Sequence, residues 1–112
     1  MSTAVEWRRD LHAHPEVGFT EFRTASRIAG RLADLGWDVV AGRDAIVGEQ
    51  RLGVPAEVEL GAAYARAEAE GGDPRFLPAL RGGHTAVVAT LRGTGPTVGL
   101  RADIDALPIF EA

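Results

Sequence analysis

The 112-residue chain contains no cysteine, so neither a disulfide framework nor a thiolate metal site can be built from it, and any metal ligand must be His, Asp or Glu. It also lacks an apolar run approaching the roughly 20 residues that cross a bilayer. The start, Met1-Ser2-Thr3-Ala4-Val5-Glu6, has no basic region followed by an apolar stretch and so does not read as a signal peptide. A cytoplasmic, non-membrane location is expected. Basic residues form no stripe: acidic and basic side chains interleave at a formal net charge of −4, which argues against a nucleic-acid partner. Phosphate-binding signatures are missing too. None of the glycine clusters matches the dinucleotide fingerprint, no Gly-Lys pair exists for a phosphate loop, and there is no Gly-x-Ser-x-Gly elbow for a serine nucleophile.

What is present is ordinary globular material, 46% hydrophobic and 25% charged, enough for one small domain and too little for two. Ala4, Val5, Trp7 and Leu11 mark a helical stripe, and Pro15 ends it by disfavouring helix at His14, so the first helix is predicted over 3–13. Thr20 reads as an N-cap with Glu21 in the first turn. Phe22, Ala25, Ile28, Ala29, Leu32 and Leu35 then recur at helical spacing until Gly36, which predicts a helix over 20–35. Trp37 to Val40 alternates as a short strand, and 41–53 reads as loop. Pro55 suits a helix start, Leu60 and Tyr64 stack four apart, and Gly71-Gly72 stops the helix, placing it over 55–70. Pro74 opens a further turn through Leu80. The β-branched stretches 85–91 and 97–102, joined by Gly93-Thr94-Gly95-Pro96, are predicted to pair as an antiparallel hairpin. This order reads as an α/β fold with a mixed sheet.

Asp103 and Asp105 follow the last apolar stretch, and ligands of open α/β sheets bind where strands end. In an extended chain residues two apart face one side, so the two carboxylates are able to converge on a cation or share a proton; turn or cap chemistry is the plainer alternative. His12 and His14, two apart on a helix, point to different sides, which favours a buried, hydrogen-bonded His12 and a helix-end His14 over a metal pair. His84, beside glycines, is expected at the surface or in a loop. The aromatic residues, Phe19, Phe22, Phe76, Trp7 and Trp37, are spaced as core contacts rather than a base-stacking platform.

Two stretches carry a resemblance. Trp7-Arg8-Arg9-Asp10-Leu11-His12-Ala13-His14-Pro15-Glu16 with Phe19-Thr20-Glu21-Phe22-Arg23-Thr24-Ala25, and Val98-Gly99-Leu100-Arg101-Ala102-Asp103-Ile104-Asp105-Ala106-Leu107-Pro108-Ile109, resemble the opening helices and a sheet strand of the amidohydrolases in the peptidase M20 family, in its D branch. The Arg51-to-Gly83 spacer is similar to that of members acting on p-aminobenzoyl-glutamate. Ala86 departs from the family pattern, which usually has glycine after the Gly-Gly-x-Thr segment.

The resemblance implies the amino-terminal portion of a zinc-peptidase-like α/β/α catalytic domain. It implies hydrolysis of the amide of N-acyl or N-aroyl amino acids with two divalent metals, Zn or Mn, in the full-length protein, a small-molecule amide substrate, and a homodimer or hetero-oligomer. The family's metal ligands come from a Cys-Gly-His-Asp motif and later Glu and His residues, none of them in this sequence, so the chain alone is expected to hold no metal and to be inactive. By the same resemblance Asp105 supports and orients a metal-ligating residue. Asp103 stands where more distant members have a histidine ligand, and His12 is structural. The alternative class is a noncatalytic interaction or regulatory module that keeps the fold without the metal site.

Overall fold

A computed structural model describes residues 3–110. The first helix, α1, spans Thr3–Ala13, and a second, α2, spans Phe22–Asp34. Strand β1 covers Asp38–Ala41, followed by single 3-10 turns at Gly42–Ala45 and Gly48–Gln50 within the stretch read as loop. Helix α3 runs Glu57–Ala69, a third 3-10 turn covers Leu77–Leu80, and strand β2 covers Val87–Thr90.

Local chemistry explains the helix ends. At the close of α2, Gly36 takes a left-handed φ of 92°, a conformation that costs glycine nothing. Its amide then donates to the Ala33 carbonyl at 3.0 Å and that of Trp37 to the Leu32 carbonyl at 3.0 Å, the two bonds of a Schellman motif. A left-handed glycine also closes α3, where Gly71 has φ 95° and the Gly72 amide reaches the Ala67 carbonyl at 2.8 Å.

The start of α2 is built differently from the sequence expectation. Thr20 is not its cap: the Thr20 hydroxyl donates back to the Val17 carbonyl at 2.7 Å, and Glu21, not Thr20, occupies the N-cap position, with no side-chain cap bond of its own. The free amides of the first turn are met by Glu16. Its carboxylate accepts from the Arg23 amide at 2.9 Å and from the Thr24 amide at 2.7 Å, and the Thr24 hydroxyl adds a third bond at 2.6 Å. A carboxylate here also complements the positive end of the helix dipole.

The sheet corrects a second expectation. Stretch 85–91 does not pair with 97–102; β2 pairs antiparallel with β1, in register Asp38↔Thr90, Val39↔Ala89, Val40↔Val88 and Ala41↔Val87. Residues 97–102 are exposed and join no ladder among the described residues, with Val98 82% and Leu100 99% exposed. These residues suit an extended backbone, but a strand forms only where a neighbour supplies hydrogen bonds, and the only strand paired with β2 among the described residues is β1. Among the described residues the expected mixed sheet is therefore represented by this antiparallel pair.

One sheet face, carrying Val39, Ala41, Val87 and Ala89, is half-buried, while Val40 and Val88 on the other face are exposed. Helix α2 packs against both strands, and α3 packs against α2. Phe22, Ala25, Leu60, Tyr64, Ala67, Leu77 and Leu80 make the core, with the Phe22 and Tyr64 rings edge-to-face at 5.4 Å. The Cα radius of gyration is 14.3 Å, against about 13 Å for a compact domain of this length, a difference that fits the extended course of 91–110.

Candidate functional site

Polar residues are buried where a helix would ordinarily bury apolar ones. Glu16, Thr20, Glu21, Arg23, Thr24 and Ser26 are all buried around the first turns of α2. Arg23, 3% exposed, binds both Asp10 oxygens at 3.2 and 2.8 Å and the Glu70 carbonyl at 2.9 Å, joining α1, α2 and the end of α3 through one guanidinium. That hydrogen bond, chief among the causes, holds the Asp10 carboxyl below the usual carboxylate range.

The Asp103–Ala106 segment crosses this polar region. It is pinned by the Ala106 amide, which donates to the Glu16 carbonyl at 2.8 Å, and by Ile104, which packs against the core. A shallow cavity of about 210 Å³ opens between it and His14, Glu16 and Thr24. Ile104 turns inward while both flanking carboxylates are exposed. They do not converge on a common partner: Asp103 pairs with Arg101 at 2.9 Å, while Asp105 lines the shallow cavity.

The Glu21 carboxyl is held above the usual carboxylate range. Burial pushes it up, and the negative charge of Asp105 adds to the effect; the Thr85 hydroxyl, donating to Glu21 Oε1 at 2.9 Å, and the backbone amides of Glu21 and Phe19 act in the opposite direction without cancelling it. Phe19 is held in the left-handed region at φ 64°, uncommon for an aromatic residue and costly by about 1–3 kcal/mol.

Of the histidines, His14 sits at the end of α1 as expected and His12 does not behave as expected. His12 is exposed rather than buried, because its position on α1 faces away from the packed side of that helix. His14 is half-buried and donates from Nδ1 to the Asp10 carbonyl at 2.8 Å, with the Asp10 carboxylate 3.7 Å away. His84, expected at the surface or in a loop, lies in the loop before β2 but is only 8% exposed: Gly82 and Gly83, at φ 87° and 83°, turn the chain so that its ring folds back and Nδ1 reaches the Arg81 carbonyl at 3.0 Å.

Among the described residues no group of three or more His, Asp or Glu side chains is placed to hold a metal ion. The two divalent ions implied by the resemblance need more donors than these residues bring together. Sequence reasoning singled out Asp103 and Asp105 but passed over Glu16, Arg23 and Thr85, and treated Glu21 as a first-turn helix residue. No periodicity marks these four, whose roles depend on partners distant in the chain.

No family model matches the chain. Indole-3-acetyl-aspartic acid hydrolase of Enterobacter agglomerans is 46% identical over 108 residues, a match covering 95% of this chain and 25% of that protein. One subunit of the p-aminobenzoyl-glutamate hydrolase of Escherichia coli is 39% identical over 107 residues, covering 94% and 24%. Among solved structures, an aminobenzoyl-glutamate utilization protein from Klebsiella pneumoniae superposes with a TM-score of 0.90 at 46% identity, over 95% of this chain and 27% of that one. The chain spans about a quarter of the length of the relatives it matches. Over nearly its whole length, then, it is a homologue of p-aminobenzoyl-glutamate hydrolase and related amidohydrolases, with an α/β fold in common.

Proposed function

We propose that a protein carrying this chain is a metal-dependent amidohydrolase that cleaves the amide of N-acyl or N-aroyl amino acids, with p-aminobenzoyl-glutamate as the type of substrate. The observation that carries this reading is the 46% and 39% identity, across almost the entire chain, to two hydrolases whose named substrates join an aromatic acyl group to an acidic amino acid. The two divalent metals, Zn or Mn, would be held by residues outside these 112, since the described residues lack a ligand set. Within the chain, Asp105 has the supporting role, presenting a carboxylate at the edge of a buried polar region, and Asp103, engaged with Arg101, is secondary.

The protein assembles as a homodimer or hetero-oligomer, a reading supported by the name of the Escherichia coli relative, which describes one subunit of its hydrolase. It acts in the cytoplasm; no helix among the described residues is long and apolar enough to cross a membrane, and the cysteine-free sequence needs no oxidising compartment. The test is release of free amino acid from p-aminobenzoyl-glutamate and from indole-3-acetyl-aspartate by the full-length protein, with Zn²⁺ or Mn²⁺ and after chelation. Metal-restored turnover is expected. A full-length protein that hydrolyses no N-acyl or N-aroyl amino acid under either metal would refute the reading, and turnover by the 112-residue chain alone would refute the assignment of the ligands elsewhere.

A further inference from the structure

We infer that Glu16 is a positioning residue for Asp105: its buried carboxylate locks it onto the first turn of α2 while its carbonyl oxygen holds the Ala106 amide, so that the main chain carrying Asp105 is tied to that helix. The inference rests on the supporting role given to Asp105 in the hydrolytic reading above.

The segment that carries Asp105 has few holds. Residues 101–110 are exposed except for Ile104, and among the described residues the one main-chain hydrogen bond that ties 91–110 to the rest of the chain runs from the Ala106 amide to the Glu16 carbonyl at 2.8 Å. The second hold is the Ile104 side chain, packed against the core. These two points bracket Asp105. Asp103 lies outside them, with its carboxylate on Arg101 at 2.9 Å. A side chain whose main chain is pinned on both sides keeps its direction even where the side chain itself is exposed.

Glu16 is fixed in turn by its carboxylate. It is 5% exposed and accepts from the Arg23 amide, the Thr24 amide and the Thr24 hydroxyl, charge-assisted bonds at a helix N-terminus. The turn it grips is itself held, because the Arg23 guanidinium spans the Asp10 carboxylate of α1 and the Glu70 carbonyl at the end of α3. A helix start alone does not call for this arrangement. Thr20 and Glu21 stand where a cap is ordinarily supplied, yet Thr20 turns its hydroxyl to the Val17 carbonyl and Glu21 makes no cap bond. The acceptor comes instead from the residue whose main chain touches the Asp105 segment, and Glu16, Thr24 and Asp105 line one cavity of about 210 Å³. A local cap would stabilise the helix and leave Ala106 unheld; Glu16 does both. Without its carboxylate the Glu16 main chain loses its tie to α2, and the bond to Ala106 no longer anchors the segment to the helix.

Amide hydrogen exchange resolved at Ala106 and steady-state kinetics, both on the full-length hydrolase, test this. In Glu16→Ala, exchange at Ala106 is expected to speed up about tenfold, and kcat on p-aminobenzoyl-glutamate to fall by up to about 100-fold with KM nearly unchanged, the kind of loss that a small misplacement produces. Glu16→Gln, which keeps one acceptor, is expected to lie between wild type and alanine in both. Leu80→Ala, a core substitution that touches neither Glu16 nor Ala106, is the control for loss of stability, and is expected to keep wild-type exchange at Ala106 and wild-type kcat per folded molecule. Wild-type exchange at Ala106 in Glu16→Ala overturns the inference, and so does faster exchange with wild-type kcat. Equal losses in Leu80→Ala also overturn it, because the effect is then general loosening. If Glu16→Ala does not fold, Glu16→Gln decides alone, and wild-type exchange and kcat in that variant overturn the inference. If the wild-type protein hydrolyses nothing, the hydrolytic reading fails, while exchange at Ala106 still decides whether Glu16 holds the segment.

Discussion

Replacing Glu16 by alanine removes the acceptor of three hydrogen bonds at the start of α2, and the structure sets the size of the effect. The amides of Arg23 and Thr24 lie in residues only 3% and 4% exposed, and both lose their partner. A buried donor left unmet costs about 1–3 kcal/mol, and the lower end applies here because water can follow into the space the side chain leaves. Loss of the favourable charge at the helix N-terminus adds about 0.5–1 kcal/mol. The sum is about 3 kcal/mol. Glutamine keeps an acceptor but not the charge, so Glu16→Gln should cost about 1 kcal/mol. Urea unfolding followed by tryptophan fluorescence of Trp7 and Trp37 measures both. With a slope of about 1.5 kcal/mol per molar urea, the alanine midpoint should drop by about 2 M and the glutamine midpoint by well under half of that. Equal midpoints for wild type and Glu16→Ala would show that the first turn of α2 is satisfied without Glu16, and the account of this helix start would fall.

Leu80 is fully buried in the core, so Leu80→Ala should destabilise by about 2–5 kcal/mol in the same assay, and a cost under about 1 kcal/mol would mean that the core does not close around it. At Gly42, φ is 82° and an added Cβ would run into the Ala79 carbonyl, whereas at Gly30 it would meet the movable ends of Asp73 and Arg75; Gly42→Ala should therefore lower the melting temperature clearly more than Gly30→Ala. Two pH dependences of opposite sign follow from the carboxyls. Asp10 has a depressed folded value, so its contribution is present above 3.8 and lost as pH falls through the lower folded value, a loss that Asp10→Asn should abolish. Glu21 has a raised folded value, so its contribution is complete below 4.5 and lost as pH rises through the folded value; the stability of wild type relative to Glu21→Gln should decline over that window, and a flat difference would refute the burial argument.

How much of this could be read beforehand follows from the range of each interaction. The ends of α2 and α3 at Gly36 and Gly71 were legible because a left-handed glycine and backbone bonds into the last turn are all that such an ending needs. The start of α2 was not, because its acceptor comes from Glu16, outside the window in which a cap is sought, and Thr20 spends its hydroxyl on Val17. Strand pairing failed for the same reason on a longer scale. Residues 97–102 have the composition of a strand, but a sequence pattern does not say that the partner of β2 is β1, which precedes α3 in the chain.

The site divides along that line too. Asp103 and Asp105 were legible as carboxylates after an apolar stretch, and the structure gives Asp103 to Arg101 while both line the shallow cavity beside Glu16 and Thr24. Glu21, Thr85 and Arg23 were illegible because buried polar groups are acceptable only with their partners, and those partners arrive from other elements: Thr85 from the approach to β2, and Asp10 and the Glu70 carbonyl from α1 and α3. The departures from local rules therefore cluster rather than scatter. A left-handed aromatic residue, two buried carboxylates and a fully engaged guanidinium all sit at one end of α2, beside the segment whose motif carries the relationship to the amidohydrolases. Sequences that fold well tend to break local rules where function requires it, so this end of α2 is where substitutions should separate effects on activity from effects on folding.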